Sequence, residues 1–170
     1  ERIKNKKPYE TFDEDRMFNN LLSSQPMAFN LFCPLRKLLE ENRIAVTKAI
    51  QAALPYYSIA MVTAVELEFI PSNYQTLTGD KSAMDAIIKY RNFEGKECFI
   101  AIETKYSENL GSNAASFMKL SGEKYEEKRQ KYFKTIKELN LFLPDIEEKI
   151  RNKPSKLTQL YRNFILSEAY

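Results

Sequence analysis

Asp85 interrupts the apolar run SAMDAIIKY, and Glu103 and Lys105 close a second one, CFIAIETKY. Taking a charge out of water costs free energy unless it is paired or binds a metal. Acids on neighbouring strands therefore mark either a solvated edge or a built site. Glu103 and Lys105 are two residues apart, so on a strand both side chains leave from one face. Asp85 lies 18 residues before Glu103. If the hairpin register brings it opposite, two carboxylates and an ammonium converge at one end of a twisted sheet. The chemistry that suits such a set is phosphodiester hydrolysis. Two carboxylates hold one or two Mg²⁺ ions, which polarise the phosphate and lower the pKa of a bound water. A lysine beside that water orients it and offsets developing negative charge. An E-x-K triplet alone is common by chance; here its weight comes from following FIAI, 18 residues beyond a strand acid. The bland alternative is a cross-strand ion pair at the sheet end.

The composition narrows the chemistry further. A chain of 170 residues that is 44% apolar and 29% charged can build a real core in one domain. Histidine is absent, which removes the commonest general base and the commonest zinc ligand together. Within this segment Ser-His-Asp and Cys-His catalysis are thereby excluded, and any metal is expected to be a hard, oxygen-bound ion such as Mg²⁺ or Mn²⁺. Cys33 and Cys98 form no CxxC unit and no disulfide framework. The net charge of +3 permits an anionic partner without requiring one. No apolar run approaches the roughly 18 residues of a membrane span. The first residue is Glu1, not Met, so the expectation is a segment of a longer chain. A cytoplasmic location and no organic cofactor are expected.

The elements that must position these residues follow from pattern. Residues 1 to 10 read as an extended arm, and TFDEDRMFNNLLSS as a short helix. QPMAFNLFCPLRKLLEENRIAVTKAIQAAL is rich in helix formers, with Pro34 and Asn42 suggesting two helices or a bend. YSIAMVTAVELEFIP reads as a long strand with Val65, Leu67 and Phe69 on one face and Glu66 and Glu68 on the other. SNYQTLTGD reads as a loop and KSAMDAIIKY as a second strand. Asn92 and Gly95 mark a hairpin turn into the third strand, CFIAIETKY. That strand is apolar on both faces, the pattern of a central strand. Beyond SENLGSN come a charged helix in GEKYEEKRQKYFKTIKELNLFL, another opened by Pro-Asp in PDIEEKIRN, and a last one capped by Ser in SKLTQLYRNFILSEAY.

An acid on the second strand followed by E-x-K on the third, here Asp85 and Glu103-Thr104-Lys105, resembles the PD-(D/E)XK nuclease superfamily. The order helix, three strands, helix matches as well, over roughly residues 26 to 140. SQPMAFNLF, GDKSAMDA, FIAIETKYSE and QLYRN are similar to a bacterial subgroup. The resemblance implies an α/β, restriction-endonuclease-like fold: a short mixed β-sheet flanked by helices, with helical N- and C-terminal parts, in a single domain over 1–170. It implies that Asp85, Glu103 and the Thr104 carbonyl bind the metal and that Lys105 positions the attacking water. Some members add a glutamate; Glu68 is the first candidate, Glu66 the second, and Glu40 or Glu41 the helical alternatives. In some branches a later helix carries glutamine and tyrosine, so Gln159, Tyr161 and Arg162 are candidates for support of the site or of nucleic acid. There are departures. Met84, not Pro, precedes Asp85, and no strand follows the post-motif helix.

Each candidate has a plainer reading beside it. Glu68 is equally an ordinary solvent-facing acid, Asp80 a turn residue, and Cys98 a small core residue. The helix around KYEEKRQKYFK is a solvated face laced by i,i+4 pairs before it is a phosphate-tracking surface. The expected function is Mg²⁺-dependent hydrolysis of DNA, in defence or repair. The alternatives are a non-catalytic nucleic-acid-binding module of the same fold and a structural domain in which the charges simply pair.

Overall fold

The computed structural model describes residues 14–20, 23–105, 116–153 and 159–170. The chain forms two compact units. The first comprises Glu1–Phe69 and Met84–Glu108, the second Ile70–Ala83 and Asn109–Tyr170. The class is α/β, as expected.

In the first unit, α1 (Glu14–Asn19), α2 (Ser24–Glu41) and α3 (Arg43–Ala53) precede β1 (Ile59–Phe69), β2 (Met84–Asn92) and β3 (Glu97–Ile102). The α2–α3 break falls at Asn42 rather than Pro34. Asn42 ends α2 with its N–H on the Leu38 carbonyl, and its Oδ1 accepts from Ala45 N to open α3. Pro34 stays inside α2. Proline has no N–H for the Asn30 carbonyl, but both residues are exposed, where an open carbonyl costs less than it would in the core, and the helix continues.

The strands form one antiparallel sheet in the order β1-β2-β3. This corrects two expectations. The described sheet is antiparallel throughout rather than mixed, because no further strand joins it among the described residues. The central strand is β2, not β3, which pairs only with β2 among those residues. One face of β3, with Cys98, Ile100 and Ile102, packs against the core, and Phe99 and Ala101 on the other face are half-buried. The hairpin is built as expected. Asn92 Oδ1 accepts from Glu94 N and Lys96 N, and Gly95 adopts φ 80°, where a Cβ is strained.

Along β1 the pairing slips by one residue between Ile59 and Met61 and again between Val62 and Ala64. Side chains of α3 satisfy the backbone there: Gln51 donates to the Ile59 carbonyl, and Val62 N donates to Thr47 Oγ1. From Ala64 onward the register is constant. One sheet face, with Val65, Leu67, Ala86, Ile88 and Tyr90, packs with Ala28, Phe32, Leu39, Val46 and Ile50 of α2 and α3 into one core. Cys33 and Cys98 pack against it as partly buried small residues.

The second unit is helical: α4 (Tyr74–Leu77), α5 (Ser116–Lys119), α6 (Glu123–Leu139), α7 (Ile146–Asn152) and α8 (Gln159–Ala169). The expected loop SNYQTLTGD thus contains one helical turn, stopped where Gly79 takes φ 68° and its N–H returns to Tyr74 O. The Ser cap expected before α8 lies outside the described residues. The tyrosines of α6 turn inward: Tyr132 is fully buried, in a cluster with Phe117, Phe133, Ile136, Ile150 and Ile165. The expected i,i+4 pairing on the exposed face of α6 is Lys134–Glu138 at 3.7 Å, whereas Glu126–Arg129 at 2.7 Å is an i,i+3 pair whose arginine is largely buried and also bonds the Phe117 and Leu120 carbonyls. No described helix is long and apolar enough to cross a membrane.

Candidate functional site

The sheet register sets the candidate acids in line. Leu67 pairs with Ala86 and Phe69 with Met84, so Glu68 stands across from Asp85. Ala86 pairs with Ile102; carrying that register one residue past the end of β3 sets Glu103 across from Asp85 on the other side. Residues directly opposite in antiparallel strands share a face. Glu68, Asp85 and Glu103 thus occupy one backbone row at the sheet end remote from the β2–β3 turn, but Glu68, at φ 48°, and Glu103, past Ile102, lie outside the regular alternation, so register sets their place in the row and not a common face.

Each acid in the row is engaged. Asp85 Oδ2 accepts two bonds from Thr104, one from the backbone N–H and one from the hydroxyl, both at 2.7 Å. Lys105 Nζ donates to Glu103 Oε1; the Glu103 side chain is only 7% exposed and that of Lys105 28%. Glu68 is 7% exposed and accepts from Gln25 Nε2 at 3.1 Å. Glu68 has φ 48°, inside a strand and without being glycine. Such a conformation costs on the order of 1 kcal/mol or more and persists only where the surroundings enforce it. The first turn of α2 thus reaches one member of the row and the residue that holds another: Gln25 bonds Glu68, and the Ser24 carbonyl lies 3.3 Å from the hydroxyl of Thr104, the partner of Asp85.

The other candidates stand elsewhere. Glu66 pairs with Lys89 at 2.8 Å. Glu40 and Glu41 are exposed near the end of α2. Tyr161 is 44% exposed on α8, and the Gln159 side chain lies outside the described residues. Arg162 clasps Asp80 through two bonds, Nε to Oδ2 at 2.5 Å and Nη2 to Oδ1 at 2.7 Å. Asp80, expected as a turn residue, is 2% exposed. Sequence reading missed two contributors, Gln25 and the Thr104 side chain, and, separately in the second unit, the Asp80–Arg162 pair. Gln25 lay within the quoted SQPMAFNLF, but nothing local pointed it at Glu68, 43 residues away.

The donors in the row are all oxygen, which suits a hard divalent cation and not a soft one. Among the described residues no three His, Cys, Asp or Glu side chains come together as a metal-holding group. Fewer than three such ligands is the usual arrangement for Mg²⁺, which takes one or two carboxylates and completes its shell with water and phosphate oxygens. The residues fit that mode of binding and not an all-protein cage.

Compared with curated proteins and with solved structures, the chain matches none. The model of the PD-(D/E)XK nuclease superfamily matches it over residues 1–170. With the match running from end to end, the chain belongs to the PD-(D/E)XK nuclease superfamily.

Proposed function

We propose that this protein hydrolyses phosphodiester bonds of DNA with the help of Mg²⁺ or Mn²⁺. The observation that supports the reading most is the row Glu68–Asp85–Glu103 with Lys105 beside its last member. Asp85 and Glu103 would hold the ion, with the Thr104 carbonyl as a further oxygen and Glu68 as an assisting acid. When bound, such an ion polarises the phosphate and makes a water acidic enough to attack. Lys105 carries one ammonium on a flexible stem. It neutralises Glu103 in the resting site and can turn toward the attacking water and the charge that builds on phosphate. The Thr104 N–H stays on Asp85 and keeps that carboxylate at the end of β3.

A second reading has its own support. Because each acid already has a partner, the same residues would serve as structural ion pairs needing no metal. The test that separates them is incubation of the protein with single- and double-stranded DNA and RNA, with Mg²⁺, Mn²⁺ or a chelator. Metal-dependent strand cleavage is expected, and DNA is the expected substrate. No cleavage of any nucleic acid with either metal would overturn the hydrolytic reading.

A further inference from the structure

We infer that the Thr104 hydroxyl is a positioning group for Asp85: it pins one carboxylate oxygen and thereby aims the other at the ion. The inference rests on the reading of Asp85 as a metal ligand, and it gives a role to the middle residue of E-T-K through its side chain.

A threonine hydroxyl has one proton to donate. Thr104 Oγ1 lies 2.7 Å from Asp85 Oδ2 and 3.3 Å from the Ser24 carbonyl. An ionised carboxylate and a carbonyl both only accept, so the two compete for that proton. Hydroxyl bonds to oxygen fall at about 2.5 to 3.0 Å, and those to a charged acceptor are the shorter and stronger ones. The proton therefore goes to Asp85. The same Oδ2 also receives the Thr104 N–H at 2.7 Å. Two donors from one residue thus converge on one oxygen, and neither falls on Oδ1.

That asymmetry has a consequence. A carboxylate held at a single point still turns about its own bonds. One whose Oδ2 is caught by two donors at different angles has its plane set, and Oδ1 then faces a fixed direction. Thr104 is itself 8% exposed and stands two residues past the end of β3. Outer groups that orient a ligand in this way commonly change metal affinity about 10- to 100-fold when removed. Valine has nearly the shape of threonine without the hydroxyl, and it keeps the backbone N–H. Serine keeps the hydroxyl and loses the methyl.

The test is a titration of the metal-free protein with Mn²⁺ alone, followed by the electron paramagnetic resonance signal of the free ion. Wild type, Thr104→Val, Thr104→Ser and Thr104→Ala are compared, each with its melting temperature. Expected is a loss of about 10- to 100-fold in Mn²⁺ affinity for Thr104→Val, with Thr104→Ser close to wild type. Thr104→Ala should match Thr104→Val; it serves in its place if the branched side chain prevents folding. In cleavage assays the valine variant should need more metal for half-maximal rate while approaching the wild-type rate at saturation. Equal Mn²⁺ affinity in wild type and in the folded hydroxyl-free variants would overturn the inference. So would equal loss in the serine and valine variants, which would mark a packing role, and so would a wild type that binds no Mn²⁺. If the affinities fall as expected but no form cleaves nucleic acid, the hydrolytic reading fails and the positioning role stands.

Discussion

Two acid–base pairs, one in each unit, show how similar ingredients serve different ends. Asp80 and Arg162 meet through two bonds that use both carboxylate oxygens, with side-chain exposures of 3% and 20%. Glu103 and Lys105 meet through one ammonium on one oxygen, with exposures of 7% and 28%. In both pairs the acid is the deeper partner. The arginine fork is planar and does not lose its proton, so it matches a carboxylate in one geometry and holds it. The lysine is a point charge on a flexible stem and can exchange one acceptor for another. The first arrangement is a clasp between segments 82 residues apart. The second neutralises an acid while leaving the cation able to move. Beside the clasp, the buried Tyr132 hydroxyl has no hydrogen-bond partner among the described residues. Burial pushes its phenol pKa up, and the Asp80 carboxylate adds to the rise.

The comparison is broken most sharply at Lys105. Lys105→Ala should lower turnover by about 10²- to 10³-fold, the typical loss when one transition-state donor is removed. The variant should remain folded, with its melting temperature lowered by the loss of a partner of Glu103. Single-turnover cleavage at saturating metal checks this; an unchanged rate would reduce the pair to a structural one. Asp80→Asn should act chiefly on stability. It removes the counter-charge of the Arg162 guanidinium, and breaking a buried ion pair from one side costs about 3 kcal/mol. For a chain of this size that lowers the melting temperature by about 6 to 12 °C. A melt within a degree or two of wild type would show that the clasp holds nothing.

Asp85→Asn sharpens the contrast more gently. The amide oxygen still accepts from Thr104, so the metal-free variant should melt close to wild type. In wild type, Mg²⁺ at tenfold excess over Kd should stabilise by about 1.4 kcal/mol. The variant should lose most of that rise, measured at matched ionic strength so that screening cancels. If Mg²⁺ shifts neither protein, Asp85 is not a ligand.

The smallest effect belongs to the surface pairs of the second unit. The Arg129 guanidinium bonded to Glu126 and the Lys137 ammonium bonded to Glu147 hold both carboxyls below the usual carboxylate range. A folded pKa lowered in this way contributes stability that is complete above the ordinary value of 4.5 and is lost as pH falls through the folded value. Melting from pH 7 to pH 3 should therefore be flatter in a Glu126→Gln, Glu147→Gln double variant than in wild type. Identical profiles would mean that solvent screens these pairs completely.

Much of this molecule was legible in its residues because the signals are local. Period-two alternation placed Val65 and Leu67 on the core face and Glu66 on the other, but it failed at Glu68 and Phe69: Glu68 takes φ 48° and bonds Gln25 of α2, and Phe69 lies under Lys89, the partner of Glu66. Asn92 and Gly95 announced the hairpin, Gly95 because few other residues accept its φ and Asn92 because its side-chain oxygen accepts from the N–H groups of the turn. Acid on one strand and E-x-K on the next pointed to the superfamily that the whole chain matches. The failures came where the signal depends on neighbours. The one-turn helix α4 is too short to show a period. The outward residues of β3 looked central because apolar character reports burial, not what provides it. What local pattern cannot supply is register over distance. Two one-residue slips in β1, taken up by Thr47 and Gln51, decide that Glu68 rather than a neighbour stands across from Asp85. One residue of further slip would send every side chain beyond it to the other face. The sequence by itself determined which acids and which base were available and on which strands they stood. Only the tertiary structure decided that Glu68, Asp85 and Glu103 share a row, that Gln25 and Thr104 hold its members, and that Arg162 belongs to Asp80. Those pairings join residues up to 82 positions apart, and they are settled by the packing of whole elements rather than by any window of sequence.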